Sequence, residues 1–306
     1  MVPSLSVVVP VYNGATTLPA LVQRLEAVLA ELGADYEILL VNDGSNDASW
    51  ATIESLAAEH AAVRGIDLMR NYGQHNALLA GIRGARKPVV VTLDDDLQNP
   101  PEEIPKLLAR LDDGNDVVYG AWRVPAHGLL RNLATKVTKF ALRGVIGGGI
   151  AGSVSAFRAF RTDLRDSFAD FAGPYVSIDV LLSWGTTRFA ATPVRHDPRA
   201  AGQSSYGITR LATHALNVLT GFSTRPLRLA TLVGLLFTLL GAVILVLVLV
   251  RFFVDGRVVP GFAFLASIIA IFSGAQLLTL GIIGEYLARM HVRIMDRPPY
   301  AVREET

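Results

Sequence analysis

Three consecutive aspartates, Asp94, Asp95 and Asp96, followed by Gln98, leave an apolar run at Pro88–Leu93. Carboxylates one residue apart at a strand end can jointly hold a hard divalent cation and leave its other positions open for phosphate oxygens. Mg²⁺ or Mn²⁺ bound to a diphosphate neutralises a leaving group that develops charge. A solvated acidic turn has the same appearance, so this run alone decides nothing. Three further polar clusters follow apolar runs in the same way: Pro10-Val11-Tyr12-Asn13, Asn42-Asp43-Gly44-Ser45 and Arg70-Asn71. Any one of them is an ordinary turn, and the coincidence of four is the informative observation.

The elements that must position these clusters alternate regularly. Leu5–Val11 is a continuous apolar, β-branched run suited to a buried parallel strand. Thr16 or Thr17 can cap a helix with Pro19 in its first turn and Leu18, Leu21, Leu25, Val28, Leu29 and Leu32 on one face, ending at Gly33. Further strands are expected at 36–41, 65–69, 88–93 and 116–119. Helices are expected at 48–62 and 74–83, and from the Pro-Pro-Glu-Glu run at 100–103 to before Gly114. Right-handed crossovers turn this βαβαβαβ order into an open parallel sheet. Such sheets bind ligands outside the carboxyl ends of their strands, where the four clusters fall.

The final third changes character. Leu229–Val250 is uncharged for 22 residues, about 33 Å of helix, and Val258–Gly284 is uncharged for 27. The short turn Arg251–Arg257 makes them a hairpin. Arg225 and Arg228 precede it, and Arg289, Arg293, Arg297 and Arg303 follow it. The positive-inside rule therefore places the α/β domain and the tail in the cytoplasm, at the cytoplasmic membrane. From Val117 to Thr162 there is no acidic residue, while Leu130, Leu133, Val137, Phe140 and Ala141 keep helical spacing. This suits a helix near 128–146 resting on anionic lipid, with a solvated basic face as the competing reading. A second amphipathic stretch covers 207–228. The expected organisation is a catalytic domain over 1–206, that juxtamembrane stretch, transmembrane helices at 229–250 and 258–284, and a basic tail at 285–306. A net charge of +1 carries no nucleic-acid signal, and the absence of cysteine excludes disulfides, thiolate metal sites and a cysteine nucleophile. The N-terminus has no basic region or cleavage site of a signal peptide.

The segments VVVPVYN, VNDGSNDAS and TLDDDLQNPPEEI resemble the family-2 glycosyltransferases of the GT-A fold, in order and spacing. MRNYGQHNALLAG, the R-x-x-G-x-S-x-Y pattern at 199–206 and GAQLLTLGIIGEYLARM are similar to the polyprenyl-phosphate glycosyltransferases of that family. This group includes dolichol-phosphate mannose synthase, the bactoprenol glucosyltransferases and the undecaprenyl-phosphate formamido-arabinose transferases. The resemblance covers nearly the whole chain. It implies a GT-A catalytic domain, Rossmann-like with a mostly parallel sheet, that moves one sugar from a nucleotide-sugar donor to a polyprenyl phosphate with inversion, assisted by Mg²⁺ or Mn²⁺. It implies that Pro10, Tyr12, Asn13 and Asp43 line the nucleotide pocket, Asp43 accepting from the base, with Arg70 beside the nucleotide. Asp94, Asp96 and Gln98 match the family's metal-binding D-x-D-x-Q, with Asp95 as the spacer on the nucleotide-sugar side. Arg199 matches an arginine on the donor diphosphate, and Arg123, Arg131 and Thr135 resemble the group that grips the acceptor phosphate. An arginine fork suits both tasks because it pairs bidentately with phosphate oxygens. Uridine and guanosine donors both stay open, uridine being favoured through the nearest subgroup. A homo-oligomer, such as a tetramer, is also implied.

Two departures from the pattern stand out. No aspartate occurs in the Gly-Ser-Val-Ser-Ala-Phe-Arg stretch at 152–158, where many relatives carry one, and Ser205 stands where lysine is common. A phosphate oxyanion is already a nucleophile, so the first departure leaves the reaction possible without a base. Asp179 is either a substitute carboxylate or part of a helix start. A dinucleotide oxidoreductase is disfavoured by the lack of G-x-G-x-x-G after the first strand. A processive polysaccharide synthase is disfavoured by the lack of Q-x-x-R-W. A non-catalytic membrane partner of a lipid-linked sugar flippase has no need to keep Asp94, Asp96 and Gln98 together. Two spans without an intramembrane charge do not make a transport pathway.

Overall fold

A computed structural model describes residues 4–122, 153–173, 176–198, 225–255 and 261–306. The chain divides into two compact units, Met1–Ala215 with Asp296–Thr306, and Leu216–Met295. Arg123, Arg131, Thr135, Arg199, the basic stretch 128–146 and nearly all of the amphipathic stretch 207–228 lie outside the described residues.

In the first unit the strands β1 (Leu5–Val11), β2 (Tyr36–Asn42), β3 (Val63–Leu68), β4 (Val89–Thr92), β5 (Val117–Ala121), β6 (Arg158–Arg161), β7 (Phe189–Pro193) and β8 (Val302–Glu305) form one sheet. Its order is β7-β5-β6-β4-β1-β2-β3-β8. β1 lies at the centre, parallel to β2 and β4, and every one of its residues is buried, which is why its sequence is a continuous apolar run. The α-helices among the described residues of this unit are α1 (Leu18–Glu31), α2 (Ser49–Glu59), α3 (Gln74–Gly84), α4 (Ile104–Asp112) and α5 (Ile178–Gly185). The apolar stripe of α1, from Leu18 to Leu29, is buried, and each fully buried leucine contributes about 1.5–3 kcal/mol. α3 packs unusually close to the sheet. A Cβ on Gly81 would stand 2.3 Å from Val8 Cγ1, so only glycine lets α3, and Gln74 at its start, approach β1.

The sheet is mixed rather than purely parallel. β6 runs antiparallel to both β4 and β5, and β8 antiparallel to β3. Neither shows as a strand in the sequence, β6 because only two apolar residues stand between two arginines. β8 lies at the edge of the sheet with all four residues exposed, leaving no apolar alternation to detect. Residues 296–306, expected as part of a basic tail, thus belong to the catalytic unit.

In the second unit α6 (Arg225–Asp255) and α7 (Phe262–Ile294) pack through an edge-to-face contact of Phe237 and Phe272, centroids 5.7 Å apart, with Gly241 beside the Phe272 ring. Both are long and apolar enough to cross a membrane, with mean hydropathy 3.1 over Leu227–Val250 and 1.3 over Ile271–Ile294. Leucines such as Leu232, Leu236 and Leu247 are more than half exposed, as a helix turned toward lipid requires. α6 outruns the uncharged stretch 229–250 at both ends, and α7 outruns 258–284 at its C-terminal end. Hydropathy marks where charge is tolerated, whereas helical hydrogen bonding continues through α7 past Gly284, supported by the Glu285–Arg289 pair at 2.6 Å.

Candidate active site

The carboxyl ends of β1, β2, β3 and β4 open on one cavity of about 490 Å³. Pro10, Val11, Tyr12, Asp43, Asn71, Gly73, Gln74, Asp94, Asp95 and Asp96 line it. Six residues singled out from the sequence therefore meet there: Pro10, Tyr12, Asp43, Asp94, Asp95 and Asp96. Tyr12 is half exposed, leaving its ring free to stack on a planar ligand.

Asp43 is buried at the end of β2, and its two oxygens accept the backbone N–H groups of Tyr72 at 2.7 Å and Gly73 at 2.9 Å. The β3–α3 loop is thereby folded over the end of β2. Gly44 makes this possible: its φ is +62°, and a Cβ there would stand 2.4 Å from the Asn71 nitrogen. Burial pushes Asp43 up to about 6, against the two amides, which favour the carboxylate. Between the ordinary aspartate value and about 6 the folded chain holds a proton that the unfolded chain has released. Stability from this group therefore falls as pH rises across that window. Pairing with a ligand N–H has the opposite sign, since the carboxylate is the stronger acceptor. If Asp43 accepts from a nucleotide base, as the family resemblance implies, the apparent KM for donor should rise as pH falls through about 6, and Asp43→Asn should remove that inflection while raising KM throughout. Initial rates across pH at saturating acceptor check both.

Asn13 (φ +56°) does not line the cavity but staples its rim. Its N–H donates to Ser45 Oγ at 3.0 Å, and its Oδ1 accepts from Asn46 N at 2.9 Å. Arg70 also lies off the cavity, its guanidinium stacked 4.6 Å from the centre of the Tyr72 ring.

The aspartate run occupies the end of β4. Asp94 Oδ1 accepts from Gln74 Nε2 at 2.5 Å, and Asp96 Oδ1 accepts the Gln98 N–H at 3.1 Å across Leu97, whose φ is +60°. Asp95 is more than a spacer. It accepts the Tyr12 N–H and packs against Gly14, where a Cβ would meet its Oδ2 at 2.3 Å. Burial, and then the charge of Asp94, push Asp95 up to about 7. Among the described residues no three His, Asp or Glu side chains converge as a metal cage. Two carboxylates and an amide oxygen are nevertheless a hard donor set that fits Mg²⁺ or Mn²⁺ when a ligand's phosphate oxygens complete the shell. Gln98 is not among the residues lining the cavity; its amide donates through Nε2 to the Asp197 carbonyl at 3.5 Å, and Asp197 N returns a bond to Gln98 O at 2.9 Å. The loop that leads to Arg199 is thereby tied to the aspartate run. In the same loop His196 stacks on Trp122 at 4.1 Å, and burial lowers its pKa below the usual imidazole range.

Asp179 does not line the cavity. It lies in the first turn of α5, buried, paired with Arg158 and accepting the Tyr119 hydroxyl at 3.0 Å. Gln74 was missed as a single residue at the sequence level, although the MRNYGQHN segment contains it. The Trp122–His196 stack had no sequence signal, because its two members follow strands that are neighbours in the sheet but far apart in the chain.

The sheet is of the GT-A type, and its strand ends gather a half-exposed aromatic, a buried aspartate and an aspartate run around one cavity. The chain matches the glycosyl transferase family 2 model over residues 6–168 and belongs to that family of glycosyltransferases. It is 36% identical over 305 residues to an undecaprenyl-phosphate 4-deoxy-4-formamido-L-arabinose transferase of Klebsiella pneumoniae subsp. pneumoniae, covering 99% of this chain and 93% of that one. It is 35% identical over 301 residues to the enzyme of the same name from Enterobacter sp. (strain 638), covering 97% and 92%. Its fold is similar to that of glucosyl-3-phosphoglycerate synthase from Mycobacterium tuberculosis, solved in complex with Mn²⁺, UDP-glucose and phosphoglyceric acid. There the TM-score is 0.52 and the identity 20%, over 71% of this chain and 78% of that one.

Proposed function

We propose that this glycosyltransferase moves a single sugar from a nucleotide donor, a UDP-sugar in preference, to a polyprenyl phosphate at the cytoplasmic face of a membrane, with inversion. The observation that carries this is the convergence of Tyr12, Asp43 and Asp94–Asp96 on one cavity, in a chain that aligns end to end with undecaprenyl-phosphate transferases.

The nucleotide lies between Tyr12 and Asp43, and its diphosphate points to the end of β4. Asp94, Asp96 and Gln98 would hold Mg²⁺ or Mn²⁺, whose charge stabilises the departing nucleoside diphosphate. Gln74 fixes Asp94, and the Tyr12 N–H fixes Asp95, so the carboxylates need little rearrangement when the donor arrives. Arg123, Arg131 and Thr135 hold the acceptor phosphate, and Arg199 the donor diphosphate, on the strength of the motif match. An acceptor phosphate oxygen attacks the anomeric carbon as the bond to the diphosphate oxygen breaks. No side chain has to remove a proton, consistent with the placement of Asp179 away from the cavity and of Ser155, whose single Oγ–H is shared between the Gly120 and Phe157 carbonyls. The helices α6 and α7 cross the bilayer as a hairpin. The chain leaves the first unit before them and rejoins it after them, which supports both helix ends on one face.

The test is transfer from labelled UDP- and GDP-sugars, UDP-4-deoxy-4-formamido-L-arabinose among them, to undecaprenyl phosphate, with and without Mn²⁺ or Mg²⁺. An organic-extractable product that requires the ion supports the proposal. A water-soluble product, or no product from any donor with folded protein, overturns it.

A further inference from the structure

We infer that Arg303, in the strand that follows the membrane helices, is a positioning residue for the donor pocket. This rests on the reading of the cavity as the nucleotide site. β8 is held to β3 by backbone bonds, Met69 N to Ala301 O at 2.9 Å and Thr306 N to Gly65 O at 3.1 Å. From it the Arg303 fork makes two contacts. Nη1 donates to Asp67 Oδ2 at 2.9 Å, and Nη2 to the Met69 carbonyl at 3.0 Å. Asp67 is 1% exposed, and its other oxygen accepts from Asn42 Nδ2 at 2.6 Å. Asn42 Oδ1 in turn accepts the Ser45 N–H at 3.3 Å, and Ser45 Oγ accepts the Asn13 N–H. One continuous line of hydrogen bonds thus joins the end of the chain to the β1 and β2 loops on either side of Tyr12 and Asp43. The Met69 contact grips the start of the third loop, which closes over Asp43.

The line transmits because its parts have no slack. Without Arg303 the buried Asp67 carboxylate keeps only Asn42, and a buried charge with one partner either takes a proton or draws its partner toward itself. A moved Asn42 carries Asp43 with it. Gly44, pressed against the Asn71 nitrogen, passes the shift to the Tyr72 and Gly73 amides that hold the Asp43 carboxylate. The donor site is therefore completed by residues made after the membrane hairpin.

Arg303→Met keeps the apolar stem and removes the fork, and Arg303→Lys can reach Asp67 but cannot serve both acceptors. In the full-length protein, Arg303→Met should raise the Kd for UDP and the donor KM by about tenfold. The acceptor KM and kcat should stay within about twofold, and Arg303→Lys should recover part of the loss. A variant whose melting temperature falls while UDP affinity and donor KM stay at wild-type values overturns the inference, as does an equal rise in both KM values. Wild-type protein that binds neither UDP nor GDP overturns the assignment of the cavity, and the inference with it. Wild-type protein that binds UDP beside an Arg303→Met variant that binds it equally well overturns the inference alone.

Discussion

Asp96→Ala should reduce turnover by about a thousandfold or more, equivalent to about 4 kcal/mol of transition-state stabilisation, while the protein stays folded in detergent. Asp96 lines the cavity at intermediate exposure, next to Asp94 and Asp95, and its replacement relieves repulsion within a crowded acidic run. The bond lost, from the Gln98 N–H, is worth about 1 kcal/mol, so the folded state absorbs the change. In the proposed mechanism chemistry does not absorb it, since one of the two carboxylates that would hold the ion on the leaving diphosphate is gone. Single-turnover transfer and a melting curve separate these effects, and Mn²⁺ titration followed by electron paramagnetic resonance should show weakened ion binding. Near-normal turnover would remove Asp96 from the metal site.

Asp179→Ala should have the largest effect on stability, about 3–5 kcal/mol. Arg158 is 2% exposed, its Nε donates to Thr92 Oγ1 at 3.1 Å, and its charge is balanced within the core by Asp179. Removing the carboxylate strands a guanidinium and leaves the Tyr119 hydroxyl without its acceptor. The apparent melting temperature should fall by roughly 6–20 °C for a unit of this size. The double replacement Arg158→Met with Asp179→Leu should be milder, since no buried charge is left unpaired. Activity per folded molecule should survive at low temperature in both. A large loss of kcat with an unchanged melting temperature would make Asp179 a catalytic carboxylate after all.

These two aspartates show how far the sequence can be read. Asp96 stands in a local run whose spacing is its signal, and the run sits where a parallel strand must end. The sequence left Asp179 between two roles, because its partner Arg158 is remote and the distinction is one of burial. The parallel core β1–β4 was legible from four apolar runs, and β6 was not, since Arg158 and Arg161 interrupt a four-residue strand. Asp95, a spacer by pattern, became a packed and hydrogen-bonded residue once the β1 and β4 loops met.

The sequence by itself determined the alternating α/β order, the two apolar helices and the identity of the polar clusters, because periodicity, strand-end chemistry and hydropathy are local properties. Tertiary structure decided which clusters share a cavity, that Asp179 faces Arg158 instead of that cavity, and that the last residues return as β8. Those outcomes rest on contacts between residues far apart in the chain, such as Arg303 with Asp67 and Gln98 with Asp197. No local pattern encodes them, because such a pairing is set by how the elements pack and by the need of each buried polar group for a partner.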